Sequence, residues 1–335
     1  MFAVTVSAAG ALTGDGCPGT APASCAVVRA SFTPGAVILL AALLILAVPT
    51  TAGGQSAPAS VSHCDYEARD RRPARGRVFF PDGDLFRPLQ ADPKEPRVGF
   101  KYLRVRIPDE ALGEGSGAET ITAGAISVGG VVGVWARHAG MSCRGVQVSL
   151  FGGVFSQFNL DAPSRDLINS DFVVGTQISA RTDGLSGRIR LYHQSSHLGE
   201  FVPRHPIADI NFGYQAIDGL VSADRERWRA YAGAGYLFFM NGGGGSLLLQ
   251  TGGEVRSRRR LGGFFRPVAG ADFTSLEARS WGLTSSVTAG LEWTSPAMSR
   301  RMRATFTVVN GYTPFGQFAV QERSRSAGLQ IQIEF

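Results

Sequence analysis

Apolar and polar residues alternate along most of the chain beyond about residue 97. In the segment 144–155, Val146, Val148 and Leu150 are apolar, whereas Gln147 and Ser149 between them are polar. The segments 247–256 and 301–308 follow the same pattern. A period of two indicates β-strands whose two faces meet different surroundings.

Counting such segments predicts about twelve strands, since no helical pattern of comparable strength lies between them. The candidates lie near 97–107, 120–135, 144–157, 167–180, 186–197, 206–220, 226–240, 246–256, 263–274, 280–294, 300–311 and 326–335. A soluble β-sandwich is the alternative, but its strands average about five or six residues. The even number and the length of the strands favour an all-β fold, a transmembrane antiparallel β-barrel over residues 97–335.

Two tryptophans bracket one of these candidate strands. Trp281 and Trp293 share a face with Leu283, Val287 and Leu291. At about 3.3 Å per residue and a tilt of about 40°, the two indoles lie roughly 30 Å apart along the membrane normal. Aromatic side chains at both edges of an apolar strip are typical of a membrane girdle.

Charged residues take the opposite parity. They include Arg188, Arg190, Arg227, Arg229, Arg266, Arg301 and Arg303, with Asp171, Glu254, Asp272 and Glu292 as candidate partners. A charge on the lipid face costs about 2 to 4 kcal/mol near the midplane, so these side chains are expected to point into the lumen. The lumen is then either filled by ion-paired side chains or open as an anion-favouring pore.

The N-terminal part does not follow this alternation. The apolar run 36–48 suits the core of a signal peptide, with cleavage expected after Ala52, while a single anchoring helix is the alternative. We therefore assign residues 1–52 to an uncertain leader plus signal peptide. Residues 53–96, rich in Pro, Arg and Asp, are predicted to form a periplasmic segment ahead of the barrel.

Composition changes this picture little. Charged residues make up only 18% of the chain, and its 43 glycines are scattered among the strands. The net charge of +6 includes a basic run over 69–77, which is either a solvated patch or a contact with acidic lipid or cell wall. Arginines spread through barrel strands form no groove-lining patch, so nucleic-acid binding is not expected.

Two cysteines, Cys64 and Cys143, belong to the mature chain. If both barrel termini face the periplasm, Cys143 lies in the first periplasmic hairpin, close to the segment that carries Cys64. An oxidising compartment favours pairing, so we predict a disulfide between them.

The last nine residues place Leu329, Ile331, Ile333 and Phe335 on one face of a strand. This ending resembles the signal by which bacterial outer-membrane barrels are recognised for assembly. The resemblance implies a location in the bacterial outer membrane and the barrel-assembly machinery as a partner that reads Phe335.

Two further motifs resemble a known family. They are the segment 79–97, with its Phe-Pro-Asp-Gly and Ala-Asp-Pro-Lys-Glu-Pro-Arg sequences, and the segment 192–200, Tyr-His-Gln-Ser-Ser-His-Leu-Gly-Glu. Both are similar to the bacterial envelope family called domain of unknown function 1207. The resemblance covers about residues 65–335 and implies no activity, because the family has none assigned.

The triplet His193-Gln194-Ser195 also resembles the active-site strand of outer-membrane phospholipase A. That resemblance implies a lipid acyl-ester hydrolase with Ser195 as nucleophile and His193 as base, acting on outer-membrane lipid or lipopolysaccharide. Calcium is implied only in that case, and no other cofactor or metal is expected. Period two places His193 and Ser195 on the lipid-facing side.

A histidine base also requires a third group that orients its ring. On the next strand, the lipid-facing parity is expected to fall on Ile210, Phe212 and Tyr214, which leaves Glu200 in the intervening loop as the candidate. The sequence thus supports two hypotheses, a structural or narrow-pore envelope protein and a lipid hydrolase.

Overall fold

The structure is a computed structural model, and it describes residues 76–107, 119–138, 144–182, 184–199, 212–238, 245–294, 301–316 and 323–334. The strands are β1 Gly76–Phe79, β2 Val98–Ile107, β3 Glu119–His138, β4 Gly145–Asn159, β5 Leu167–Thr182, β6 Leu185–Leu198, β7 Phe212–Asp224, β8 Trp228–Phe238, β9 Ser246–Arg256, β10 Arg266–Leu276, β11 Leu283–Thr294, β12 Arg301–Tyr312 and β13 Arg323–Glu334. None of these residues forms a helix long and apolar enough to cross a bilayer.

Strands β2 to β13 form a closed antiparallel barrel of twelve strands. Each strand pairs with its neighbours in sequence, and β13 closes the cylinder against β2, with Ile333 opposite Val98. The predicted strand ranges agree closely with these bounds. We call the end that holds the start of β2 and the finish of β13 the terminal end, and the opposite end the loop end.

The two faces of the wall differ as the alternation predicts. Large apolar side chains such as Leu150, Ile189 and Phe306 are about half exposed on the outer wall, whereas Gln147 and Ser149 are buried inside. Trp293 lies on the outer wall opposite Met302, and Trp281 is exposed in the turn that precedes β11 at the loop end. The expected apolar exterior is therefore confirmed.

The predicted inward charges are largely confirmed. Arg188, Arg190, Arg229, Arg301 and Arg303 are all buried in the lumen. Arg227 is an exception, since it lies exposed in the turn between β7 and β8.

The wrong residues of β7 were predicted to lie on the outer face, because the predicted inward–outward alternation was shifted by one residue. Tyr214 points into the lumen, where its hydroxyl donates to Gln194 Oε1 at 2.9 Å and its ring packs edge-on against Tyr192. Ile217 is instead exposed on the outer wall. The alternation was assigned wrongly because the inward-facing residues Ala216 and Leu220 are apolar like the outward-facing ones.

Strand β1 lies against the far end of β3 at the terminal end of the barrel, with Phe79 opposite Trp135. The chain then turns past Gly133, where any Cβ would stand 2.6 Å from Pro81 Cγ. This close approach requires glycine, and it leads the chain from the sheet edge into the lumen.

Residues 84–97 lie inside the barrel, which corrects the prediction that the whole of 53–96 precedes it. Phe86 and Leu89 are buried against Leu220 and Tyr231 of the wall. We call residues 84–97 the plug segment. Its residues contact wall positions far away in sequence, as Glu95 does with Arg188, 93 residues later.

Several predictions fall outside the described residues. They concern the leader and signal peptide, the Cys64–Cys143 disulfide, the loop residue Glu200 and the terminal Phe335. These stay predictions.

Candidate functional site

An ion pair between Glu95 of the plug segment and Arg188 of β6 joins the plug to the wall. The guanidinium donates to both carboxylate oxygens, at 2.6 and 2.9 Å, and both side chains are 2% exposed. Burial alone would raise the pKa of Glu95, but Arg188, together with Arg190 and Arg97, holds that pKa below its usual range. The carboxylate is therefore ionised in the folded barrel at neutral pH.

A second group holds the first half of the plug. Arg87 donates to Asp224 at 2.9 Å, and Arg229 donates to the carbonyl oxygen of Arg87 at 2.8 Å. The ring of Phe86 lies between two guanidinium groups, 4.7 Å from that of Arg188 and 4.5 Å from that of Arg229. Such contacts add a cation–π attraction to the apolar burial of the ring.

The second half of the plug is held by charge and by aromatic rings. Lys94 pairs with the buried carboxylate of Asp171, and its ammonium lies 4.7 Å from the ring centre of Phe155. Gln250 donates to Asp92 at 3.2 Å and to Asp272 at 2.9 Å, so one amide bridges a plug carboxylate and a wall carboxylate.

A cavity of about 140 Å³ lies beside the plug on its side toward the loop end. Arg190 and Asp218, joined by hydrogen bonds of 2.6 to 3.1 Å, line it together with Lys94. Phe151 and Leu248 supply apolar wall. Asp92, Asp272 and Arg279 also line it, so the cavity wall carries charges of both signs.

Beneath the plug, the terminal end is crossed by a network centred on Glu292. Its Oε2 accepts from Arg256 at 3.1 Å and from Arg303 at 2.9 Å, and Arg303 also pairs with Glu334. The predicted partner Glu292 is thereby confirmed. Glu334 was not identified from the sequence, although its inward parity on the last strand could have indicated it.

His193 and Ser195 lie on the outer wall of β6 near the loop end. His193 is exposed and Ser195 is partly buried, whereas the alternate residues Gln194 and Ser196 are buried in the lumen. Among the described residues Ser195 makes no hydrogen bond to His193. The two are therefore neighbours on one face rather than an assembled pair.

The orienting group that the sequence did not supply is Gln215 of β7. It stands directly opposite His193 in the ladder, and its side-chain amide lies 3.3 Å from His193 Nδ1. The atom nearest to Nδ1 is the amide nitrogen, which as placed donates to Nδ1. Turning the amide over brings Oε1 to this position, where it would accept the Nδ1 proton and leave the ring nitrogen Nε2 free to act as a base. The one-residue error in the phase of β7 is the reason that Gln215 was missed.

A glycine and an aromatic contact flank the same pair. Gly213 lies opposite Ser195 in the ladder, and a Cβ at this glycine would stand 3.6 Å from His193 Cε1 and 3.9 Å from Ser195 Cα. Phe172 and His197 form an edge-on contact, with ring centres 5.6 Å apart, on the other side of Ser195. Among the described residues no group of three potential metal ligands occurs.

Comparison with known proteins establishes the family. The profile of the family "Protein of unknown function (DUF1207)" matches residues 55–335, so the chain belongs to this family. The resemblance inferred from the two motifs is thereby confirmed. None of the curated proteins matches the chain.

Solved structures similar to this chain are bacterial outer-membrane barrels. The β domain of the Bordetella autotransporter BrkA is 14% identical with a TM-score of 0.41, covering 71% of this chain and 98% of that one. Outer membrane phospholipase A from Escherichia coli is 11% identical with a TM-score of 0.41, covering 75% and 95%. An anion-selective porin from Comamonas acidovorans is 7% identical with a TM-score of 0.30, covering 71% and 98%.

Proposed function

We propose that this protein is an integral outer-membrane barrel whose lumen is held closed by its own plug segment, so that it does not serve as an open diffusion pore. The observation that carries this proposal is the buried Glu95–Arg188 pair, which ties the plug to the wall through two hydrogen bonds. The apolar outer wall supports the membrane setting, since half-exposed side chains such as Phe306 suit lipid better than water.

The proposal is tested by conductance in planar bilayers. The wild-type protein is expected to insert without opening a steady channel. Glu95→Lys places a cation against Arg188, expels the plug and is expected to give stepwise conductance. Glu226→Lys makes the same charge change in an exposed turn, where Glu226 pairs with Arg258 at 2.8 Å, and is expected to stay silent. Steady conductance by the wild type contradicts the proposal.

A second candidate function is lipid acyl-ester hydrolysis on the outer wall. It is favoured by the contact between Gln215 and His193, which provides the orienting amide that a histidine base requires. Ser195 lies two residues from His193 on the same face, and ester hydrolysis requires its hydroxyl to move into hydrogen-bonding distance of the ring when substrate binds. The substrate class would be a phospholipid or glycolipid that reaches the site from the bilayer.

This candidate is tested by the release of fatty acid from phospholipid and from lipopolysaccharide by purified barrel. Ser195→Ala and His193→Ala are expected to abolish release, and Gln215→Ala to lower it by about 10- to 100-fold through loss of ring orientation. Ser285→Ala, a change on the outer wall of β11, is the matched control. Equal release by wild type and Ser195→Ala eliminates the hydrolase.

A further inference from the structure

Four arginines project from the outer wall where β13 meets β2, whereas most charged residues of the barrel strands point inward. Arg104 and Arg106 on β2, and Arg323 and Arg325 on β13, are all exposed. They continue the outward rows of Phe100 and Tyr102 on β2, and of Leu329 and Ile331 on β13. We call these four residues the seam arginines.

The pairing of the seam strands sets like charges against each other. Arg106 stands directly opposite Arg325 in the ladder, and such a like-charged pair destabilises a sheet. Among the described residues, none of the four makes an ion pair closer than 4.0 Å. Arg104 donates to Thr122 Oγ1, and Arg323 stacks on Tyr312 with 5.6 Å between the guanidinium and the ring centre. Asp161 accepts from the backbone N–H of Thr122 at 2.6 Å and is close enough to Arg104 for the two charges to attract. Among the described residues, no carboxylate pairs with Arg106, Arg323 or Arg325.

The position of the seam arginines along the barrel indicates which kind of anion could bind them. Toward the terminal end, the seam is apolar, with Phe100 opposite Ile331 and Tyr102 opposite Leu329. The guanidinium groups begin where this apolar surface stops, on the side nearer the loop end. Charges cost least at the membrane interface, and lipid headgroups occupy that depth.

We propose that the seam arginines form a binding site for the phosphate groups of a phosphorylated glycolipid, namely a lipid A-type headgroup with two phosphates. Guanidinium groups bind phosphate oxygens through paired, charge-assisted hydrogen bonds, and paired strands present several of them on one surface. This proposal places both barrel termini in the periplasm, so that the loop end lies in the leaflet that carries this glycolipid. The site therefore rests on the proposed outer-membrane placement, but not on the closed lumen or on hydrolysis.

The test is native mass spectrometry of the full-length barrel, folded in detergent and mixed with defined lipids. Diphosphoryl lipid A is expected to remain bound at concentrations at least tenfold lower than fully dephosphorylated lipid A or phosphatidylglycerol, and millimolar inorganic phosphate is expected not to displace it. Equal retention of the dephosphorylated lipid overturns the phosphate site. Equal retention of phosphatidylglycerol, or displacement by inorganic phosphate, overturns the assignment to the glycolipid.

Variants locate the binding. Arg106→Gln with Arg325→Gln is expected to weaken retention of diphosphoryl lipid A at least tenfold. Arg259→Gln with Arg260→Gln removes the same charge from exposed positions at the terminal end and is expected to leave retention unchanged. Wild-type retention by the seam variant overturns the site.

Urea unfolding with and without lipid A tests the site independently, because it does not depend on how much lipid the variant retains in the mass spectrometer. Without lipid A, Arg325→Gln relieves the repulsion from Arg106 and is expected to raise the urea midpoint of unfolding. With diphosphoryl lipid A present, the wild type is expected to become the more stable of the two. The same order with and without the lipid overturns the proposal. Failure of the wild-type barrel to insert into liposomes instead contradicts the membrane placement on which the site rests.

Discussion

Glu95 and Arg188 lie 93 residues apart in sequence and meet through two hydrogen bonds in the middle of a polar lumen. This pair makes the segment before β2 part of the barrel interior. The ring centre of Phe86 lies 4.7 Å from the same guanidinium. Arg188 of the wall therefore contacts two plug residues, the carboxylate of Glu95 and the aromatic ring of Phe86.

Removing one member of this pair is expected to be costly. Glu95→Gln leaves Arg188 buried without its counter-charge, and breaking a buried pair in this way costs about 3 to 5 kcal/mol. Urea unfolding of the detergent-folded barrel measures the loss. Glu226→Gln, which breaks an exposed pair, is expected to change the free energy of unfolding by about 1 kcal/mol or less. Equal effects of the two substitutions would contradict a plug held by charge.

Acid is expected to loosen the plug through the same group. The pKa of Glu95 is lowered in the folded state, because the effect of burial is outweighed by Arg188 together with Arg190 and Arg97. A lowered carboxyl pKa stabilises the fold at pH values above its ordinary value of 4.5, and this contribution is lost as the pH falls through the lowered pKa. Bilayer recordings are expected to be silent at neutral pH and to show openings only well below pH 4.5. Openings that increase toward alkaline pH would refute this assignment.

The ring of Phe86 is expected to contribute both by burial and through its two cationic neighbours. Phe86→Ala removes a side chain that is 1% exposed and is expected to lower the free energy of unfolding by about 3 to 5 kcal/mol. Phe86→Leu keeps most of the volume but loses the cation–π contacts, and a smaller loss of about 1 to 2 kcal/mol is expected. Urea titration resolves the two, and no loss for Phe86→Ala would show that the plug is not packed against the wall.

The outer wall is expected to tolerate apolar exchange but not charge. Phe306 lies midway along β12 and is 49% exposed. Phe306→Arg is expected to destabilise the membrane-inserted barrel by about 2 to 4 kcal/mol, whereas Phe306→Leu stays within about 1 kcal/mol. Folding into liposomes, followed by the heat-dependent mobility of the barrel on gels, measures this. An unimpaired Phe306→Arg variant would argue for water rather than lipid outside the wall.

The sequence predicted the strands well because lipid and lumen impose opposite chemistry on alternate residues. Where apolar residues occur on both faces of a strand, the sequence no longer shows which residues point inward. Ala216 and Leu220 are apolar and inward on β7, so Tyr214 was assigned to the wrong side and Gln215 was overlooked.

The plug could not be predicted from local pattern. Its residues have no strand or helix period, and what fixes them is a set of distant partners, such as Glu254 for the backbone of Gln90, 164 residues apart. The seam arginines, in contrast, were readable in principle. Arg104 and Arg106 lie two and four residues after Tyr102 and therefore on the same outward face of β2. They were overlooked because charged residues of a barrel were expected to point inward.

The occupation of the lumen by residues 84–97 is tested most directly by thiol accessibility. Ala91 is 2% exposed in the plug, and Leu261 is 53% exposed in the turn between β9 and β10. In a background free of native cysteines, each is replaced in turn by cysteine, and the folded barrel is treated with a charged, membrane-impermeant maleimide. The cysteine at position 261 is expected to react within minutes and that at position 91 to stay protected until the barrel is unfolded. Equal labelling rates at the two positions in the folded barrel would contradict the account.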